Sequence, residues 1–361
     1  MEYRQLGRSG LRVSKLCLGT MVGFTPDNQD GATRLIHQAI DCGVNFIDTA
    51  DCYGPSEEVV GATLAQDSKR EQVVLATKFG WYMGDGANDY GTNRAHILRA
   101  CEESLRRLQT DWIDLYILHV VDPNTPWDET LRALDGLVRD GKVRYIGTSK
   151  HAASSIVEAI FTSERCGLEQ FVSEQTVYNL VDRRAENELI PACMRHGVGI
   201  TPYMPLASGL LSGKYSLEGE QPKGGRLSRR RLDKDPIFTT GAIQAAGKLA
   251  KLAEAKGVTA AQLALAWLMQ QPGVTAPVVG ARIPEYLESA VEACNIEVTD
   301  EDCERIDAIV APGTAVSNYF EGNVLRPLRM AYSSAARRMK GTGAYIPDHA
   351  TGSGKDAGHP G

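Results

Sequence analysis

The chain has 361 residues, 43% of them hydrophobic and 23% charged, with a net charge of −6 and an isoelectric point near 5.7. This is the composition of a soluble globular protein, long enough for one large α/β barrel or two ordinary domains. The acidic balance argues against a nucleic-acid surface, no apolar run reaches the roughly 18 residues of a membrane span, and the opening MEYRQLGRSG lacks the apolar core of a signal peptide.

The opening, Tyr3 to Met21, reads as a hairpin turning at Gly7 to Gly10, followed by a strand over Leu16, Cys17 and Leu18 that leaves through Gly19-Thr20-Met21. A helix over Thr33 to Asp41 stops at Gly43. The stretch VNFIDTADCYG, Val44 to Gly54, comes next. Its apolar run has the look of a buried parallel strand, and it ends on Asp48. An unpaired carboxylate costs several kcal/mol to bury, so Asp48 calls for a cationic or hydrogen-bonding partner. Tyr53 follows five residues later on a loop. A tyrosine presented beside a buried acid is a plausible catalytic arrangement; the plainer reading is a loop cap and a packing aromatic.

Strands and helices then alternate. Glu57 to Ala65 is helical, and Val73 to Ala76 is a strand ending at Thr77-Lys78. Arg94 to Leu108 is an amphipathic helix with Ile97, Leu98, Cys101, Leu105 and Leu108 on one face. Asp114 to Leu118 is a strand ending at His119, and Thr130 to Arg139 a helix closed by Gly141. Val143 to Ile146 is a strand ending at Gly147-Thr148-Ser149-Lys150, followed by a helix over Ser154 to Phe161. A short strand starts at Phe171 and ends near Gln175, a helix covers Ala185 to Arg195, and a strand covers Val198 to Tyr203. An irregular insertion spans Met204 to Pro236. Helices over Ala242 to Lys256 and Ala260 to Gln270 lead to a last strand, Ala276 to Val279, with helices over Pro284 to Cys294 and Asp300 to Val310.

Eight strands, each followed by a helix, with no composition break, predict a closed (β/α)8 TIM barrel with an N-terminal β-hairpin and a long loop after the seventh strand. The domain is expected over residues 1–338, and the Gly-, Ser- and charge-rich residues 339–361 are expected to be a mobile tail. An open dinucleotide-binding sheet needs a glycine-rich turn after its first strand, and Gly19 to Phe24 lacks that pattern. Eight scattered cysteines without a CxxC, and seven histidines without an HExxH, indicate no metal site and point to reduced thiols in a cytoplasmic protein.

In such a barrel, function sits at the C-terminal ends of the strands. Those ends are Thr20, Asp48, Lys78, His119, Ser149, Gln175, Tyr203 and Arg282. Lys78 answers the need for a partner to Asp48. A cation beside Tyr53 would lower the phenol's pKa and make it a usable general acid, while His119 could orient a carbonyl oxygen. Phe24, Trp81, Tyr82 and Trp127 lie on mouth loops and are candidates for the substrate pocket.

The motifs GRSGLRVSKLCLGTM, FIDTADCYG, LATKFG, SLRRLQTDWIDLYILH, LRALDGLVRDGKVRYIG, PLASGLLSGKY and PVVGAR occur in order from about Tyr3 to Val310. With them the chain resembles the aldo-keto reductase superfamily, in particular the bacterial-type reductases related to potassium-channel β subunits. The resemblance implies NADP(H), with NAD(H) left open, bound across the barrel mouth, and metal-free interconversion of a carbonyl and an alcohol. It implies Asp48, Tyr53, Lys78 and His119 as the catalytic four, with Tyr53 the proton donor. For the cofactor it implies Gly19, Thr20 and Met21 near the nicotinamide ribose, Ser149 and Gln175 at the carboxamide, and Tyr203 stacked on the ring, with Asp48 and Lys150 also among the cofactor-binding positions. Met204, Pro205, Leu206, Ser208 and Leu211 would lie under the pyrophosphate, and Gly280, Ala281 and Arg282 near the adenosine 2′-phosphate.

The chain departs from the family pattern at Lys150, where asparagine is usual: lysine offers donors only, so either Ser149 and Gln175 suffice or Lys150 turns outward or meets an acidic group. Tyr286, Ser289 and Ala290 depart from the usual adenine contacts. The basic stretch Lys223 to Asp235, with Arg226, is either a flap over the cofactor phosphates or a solvated loop. The partner expected is a small carbonyl or alcohol, with no nucleic acid and no membrane; the oligomeric state stays open. Two other readings remain: a sugar or alcohol dehydrogenase or nucleotide-sugar reductase, and a slow-turnover sensor subunit with Cys52 as an oxidisable handle.

Overall fold

The computed structural model describes residues 1–66, 69–215 and 237–319. β1 (Tyr3–Gln5) and β2 (Arg12–Ser14) form the N-terminal antiparallel hairpin. Eight further strands run parallel: β3 (Cys17–Gly19), β4 (Phe46–Asp48), β5 (Val74–Phe79), β6 (Ile113–Leu118), β7 (Val143–Ser149), β8 (Phe171–Gln175), β9 (Gly199–Ile200) and β10 (Val278–Val279). Their order is β10-β3-β4-β5-β6-β7-β8-β9. The ends of that series meet through a parallel bridge between Ile200 and Val274 and through the Thr275 amide bonded to the Ile200 carbonyl at 2.8 Å. The Val278 amide adds a bond to the Pro202 carbonyl at 2.8 Å. The fold is therefore the expected (β/α)8 barrel with its hairpin.

β9 and β10 are shorter than the sequence predicts, at two residues each. Pro202 and Pro277 have no amide hydrogen, so the ladder cannot run through them. The chain follows β8 irregularly instead, through the amides of Thr201 and Tyr203 to the carbonyls of Glu174 and Thr176.

Ten helices are described, from α1 (Gln29–Asp41), α2 (Ser56–Gln66), α3 (Arg94–Leu108), α4 (Trp127–Arg139) and α5 (Ala153–Cys166) to α6 (Leu189–His196), α7 (Thr240–Ala255), α8 (Ala260–Met269), α9 (Pro284–Ala293) and α10 (Asp300–Ile309). Their starts carry legible signals: the Asn93 side chain caps α3, and Thr259 and Thr299 form capping boxes with Gln262 and Asp302. On α3 the buried face holds Ile97, Cys101, Leu105 and Leu108 as expected, but Leu98 is 39% exposed. One step of about 100° from Ile97 carries it off the apolar stripe. α6 starts later than expected, after a 3-10 turn over Arg184–Glu186. The Arg183 amide bonds to the Thr314 carbonyl, and its guanidinium holds Glu186, Asp307 and the Val310 carbonyl, which fixes that backbone before α6 can begin. The expected tail and the basic stretch Lys223 to Asp235 with Arg226 lie outside the described residues. Among the described residues no helix is long and apolar enough to cross a membrane.

The barrel interior is packed with Cys17, Phe46, Val74, Ala76, Leu115, Ile117, Val172, Ala276 and Val278. Leu6 and Val13 of the hairpin join the same cluster, so the hairpin plugs one end. Gly7 makes that possible. Its φ is +57°, and a Cβ there would lie 2.3 Å from the Val172 carbonyl oxygen and 2.5 Å from that of Gly197. With the floor plugged, polar chemistry is confined to the opposite end, where the strands finish.

Gly7→Ala is expected to cost roughly 2–4 kcal/mol, combining a left-handed backbone with an overpacked contact. Equilibrium urea unfolding measures this; an unchanged midpoint would show that the hairpin is not seated on the barrel floor.

Candidate active site

Register brings the site together. Gly19 lies opposite Asp48, and Asp48 opposite Ala76, so the ends of β3, β4 and β5 are level. The loop after β4 is tacked onto β5 by the Thr49 amide to Ala76 and the Asp51 amide to the Lys78 carbonyl. That returns Tyr53 to the strand it has just left. Lys78 extends from β5 into this space and is fully buried. Its ammonium donates to Asp48 Oδ1 at 2.5 Å, to the Thr49 carbonyl at 2.7 Å and to the Tyr53 phenol oxygen at 3.3 Å. Three N–H groups meet three acceptors, so the charge is fully satisfied. Because the Tyr53 oxygen accepts from Lys78, the phenol's own hydrogen is left to point elsewhere.

Asp48 is held from its other side by Gln175 Nε2 at 2.9 Å, and the Gln175 carbonyl in turn accepts from Ser149 Oγ at 2.9 Å. His119 follows β6, with its amide bonded to the Phe79 carbonyl. Its ring stands edge-on to Tyr53 at 5.7 Å and to Trp81 at 6.1 Å. The structure thus brings Asp48, Tyr53, Lys78 and His119 into one cluster at the barrel mouth.

Burial favours neutral groups here, and the Lys78 charge survives because it is paired. Burial alone would lower the Lys78 pKa, but Asp48 and then Tyr53 more than reverse that and hold it above the usual range. His119 is pushed well below its usual value, by burial and then by the charges of Lys150 and Lys78, so the imidazole is neutral. Tyr53 differs from the sequence expectation. Burial raises its pKa, and the opposing pull of Lys78 does not offset that. The phenol is held protonated rather than tuned toward neutrality.

Lys150 does not turn outward, and among the described residues it meets no acidic side chain at ion-pair distance. Its backbone is left-handed (φ 66°), and its ammonium reaches over the mouth, 3.4 Å from the His119 carbonyl, 5.3 Å from the Trp81 ring and 6.0 Å from the Tyr203 ring. Burial lowers its pKa to about 8. A strained, desolvated lysine is the kind of feature that concentrates at functional sites.

The other candidates divide. Met204, Ala207, Ser208 and Gly209 all have positive φ, so the chain after β9 makes a left-handed turn at the barrel mouth. Pro205 is buried there, while Leu206 and Ser208 are partly exposed. Tyr203 is partly exposed at the mouth, and Met21, Gly280, Arg282 and Tyr286 are exposed, with Ser289 half-buried. Several side chains are committed to packing. The Thr20 hydroxyl donates to the Asp48 carbonyl and shares a 2.7 Å bond with Ser56. Gly19 is buried with no room for a Cβ, which would come 2.8 Å from Val278 Cγ1. Ala281, Ala290 and Leu211 are buried in the hydrophobic cores, so any contact from those positions is through backbone.

Of the four aromatics expected around a substrate, Trp81 stands beside His119. Phe24 does not line the mouth: it is 3% exposed and packs in the shell between barrel and helices, because an apolar ring on a short loop is drawn into the adjacent core. Tyr82 stacks on Tyr90 at 4.2 Å within its own loop. Trp127 packs against His151 and Phe171 and borders a cavity of about 300 Å³ shared with Asp122 and His151.

Two supports of the site gave no motif in the sequence. Ser56 bonds Thr20 and Thr49, tying the loop after β3 to that after β4. Glu57 is fully buried, accepting from Thr77 Oγ1 at 2.5 Å and Arg107 Nε at 2.7 Å, and so pins α2 to β5 and α3 behind the Tyr53 loop. A buried acid at the start of a helix reads in sequence as an ordinary first-turn carboxylate.

Comparison with known proteins points the same way as the geometry. The model of the aldo/keto reductase family matches residues 15–311. The chain is 39% identical to an uncharacterized oxidoreductase, YrpG, of Bacillus subtilis (strain 168), over 87% of this chain and 97% of the relative. It is 36% identical to a probable voltage-gated potassium channel subunit beta of Oryza sativa subsp. japonica, over 86% and 97%. It is 32% identical to an L-glyceraldehyde 3-phosphate reductase of Escherichia coli O157:H7, over 87% and 93%.

Lys78→Met removes the cation and leaves Asp48 buried with Gln175 as its side-chain partner. It is expected to cost about 3–5 kcal/mol in urea unfolding. Adding Asp48→Asn should recover most of that loss, since no charge then remains buried. A double variant no more stable than Lys78→Met alone would mean that the ion pair is not what holds the mouth.

Proposed function

The chain belongs to the aldo/keto reductase family, and from that premise we propose that it reduces an aldehyde, ketone or sugar carbonyl with NADPH, using Tyr53 as the general acid. It is an oxidoreductase acting on carbonyl and alcohol groups. The observation that carries the finer reading is the Lys78 ammonium shared between Asp48 and the Tyr53 oxygen. That contact fixes the phenol oxygen and leaves its proton available to a carbonyl oxygen placed between Tyr53 and His119.

The residues present fit a nicotinamide dinucleotide. Ser149, Lys150, Gln175 and Tyr203 would hold its nicotinamide end; Gln175 spends its amide N–H on Asp48 and keeps its side-chain oxygen to accept. In the turn from Met204 to Gly209 the Ala207 and Gly209 amides are spent on the Met204 and Leu206 carbonyls, so the Leu206 and Ser208 amides would be its donors to the pyrophosphate, and the exposed Arg282 offers a fork for the 2′-phosphate. When bound, the nicotinamide supplies the hydride that adds to the carbonyl carbon. Tyr53 donates its proton to the carbonyl oxygen as negative charge develops there. Lys78 stabilises the phenolate left behind, and Asp48 keeps Lys78 charged and in place. His119, being neutral, can donate one ring N–H to the same oxygen and so set its position.

The raised pKa of Tyr53 keeps the proton on the phenol at neutral pH, the state that a general acid for carbonyl reduction needs. Eight free thiols support a reducing, cytoplasmic setting.

Tyr53→Phe is expected to lower kcat for carbonyl reduction by about 10²–10⁴-fold with cofactor affinity nearly unchanged. Full activity in that variant would overturn the assignment. Because the phenol stays protonated, the single-turnover rate should hold level through neutral pH. A rate falling between about pH 6 and about pH 8 would place the acid elsewhere.

Titration followed by tryptophan quenching should show NADPH binding more tightly than NADH, with Arg282→Ala narrowing the difference. Equal affinities in the unaltered protein would remove the 2′-phosphate reading.

A further inference from the structure

The sequence shows no metal-ligand spacing, yet the fold assembles a donor set from residues 67 positions apart. We propose that Asp51, Cys52 and His119 form a binding site for a borderline-soft divalent cation such as Zn²⁺, built into the loop that carries Tyr53. One ligand atom from each residue lies within 4.8 Å of the other two. Cys52 Sγ stands 3.6 Å from His119 Nδ1. A tetrahedral Zn²⁺ with a sulfur at about 2.3 Å and a nitrogen at about 2.0–2.1 Å sets those two atoms about 3.6 Å apart, so this edge of the tetrahedron is already formed.

The second, independent observation is Asp51 itself. It is 3% exposed, and neither carboxylate oxygen has a hydrogen-bond partner among the described residues. The neighbouring buried acids are provided for: Asp48 has Lys78 and Gln175, and Glu57 has Arg107 and Thr77. A buried carboxylate left without a partner is costly, and a cation at the centre of this triad supplies one.

The chemistry of the donors narrows the ion. Thiolate and imidazole with one carboxylate favour Zn²⁺ or Co²⁺ over Mg²⁺ or Ca²⁺, which prefer all-oxygen shells. Binding breaks the Cys52 S–H bond, forms a metal–sulfur bond and releases the thiol proton to solvent, together with the Asp51 proton where that group carries one. The dication then balances the two anionic ligands, so Lys150 and Lys78 nearby face no added net charge. Three protein ligands leave a fourth position for water, and the partial exposure of Cys52 gives a way in. Ligation at Nδ1 would put the ring proton on Nε2, fixing the tautomer with which His119 meets a substrate oxygen.

The test needs no catalytic turnover, so its failure is separate from any failure of the reductase reading. The metal-free full-length protein is titrated with Co²⁺ while d–d absorption and the thiolate-to-cobalt charge-transfer band are recorded. One charge-transfer equivalent per chain, displaced by Zn²⁺, is expected. Cys52→Ala should abolish the band, and Asp51→Asn should weaken Co²⁺ binding at least about 10-fold. No band at saturating Co²⁺, or an undiminished band in Cys52→Ala, overturns the proposal. In the unaltered protein, Zn²⁺ should also shield Cys52 from alkylation by iodoacetamide, read by peptide mass mapping. Equal labelling with and without Zn²⁺ overturns it independently of how the variants fold.

Discussion

A lysine with no exposed surface governs this molecule. The Lys78 ammonium can remain charged inside the barrel only because each of its three hydrogens has an acceptor, and those acceptors come from two places, the end of β4 and the loop that leaves it. Satisfying the charge therefore dictates the path of the loop. The loop must fold back over β5, and doing so it delivers Tyr53 to the same nitrogen. A stability requirement and a catalytic geometry are met by one interaction.

The rest of the fold makes that arrangement rigid. Gln175 and Ser149 brace Asp48 from β8 and β7, Ser56 knots the first two mouth loops together, and Glu57 with Arg107 fastens the helix behind them. At the far end the hairpin fills the floor with Leu6 and Val13, so polar groups inside the barrel gather at one mouth. A low-dielectric wall around few charges explains why the neutral groups stay neutral: His119 unprotonated and Tyr53 protonated, each held so chiefly by burial.

Several sequence inferences failed for a common reason. Phe24 looked like a pocket wall because it sits on a mouth loop, but a loop position does not say which way a ring faces, and the core claimed it. Leu98 looked like part of the α3 stripe, and a single residue's rotation put it in solvent. The effect of Lys78 on Tyr53 was read as a pair of charges in isolation; the desolvation around them, which proved larger, is invisible without the packing. Lys150 could not be placed at all from its neighbours, since its left-handed backbone is set by the β7–β8 junction, where its amide bonds to the Gln175 carbonyl.

By itself the sequence determined the alternation of eight strands and their helices, the barrel that alternation implies, and the polar residues at the strand ends, Asp48, Lys78 and His119 among them, with Tyr53 on the loop after Asp48. Those are local facts: hydrophobic period, strand-terminal residue type and capping chemistry are written in short windows of chain. The tertiary structure alone decided which groups share a partner, which are desolvated, and which distant residues meet. Cys52 and His119 are the plainest case, since nothing in a linear chain records that β4 and β6 end within reach of each other. Distances between strand ends follow from register and barrel closure, which only the whole folded chain fixes.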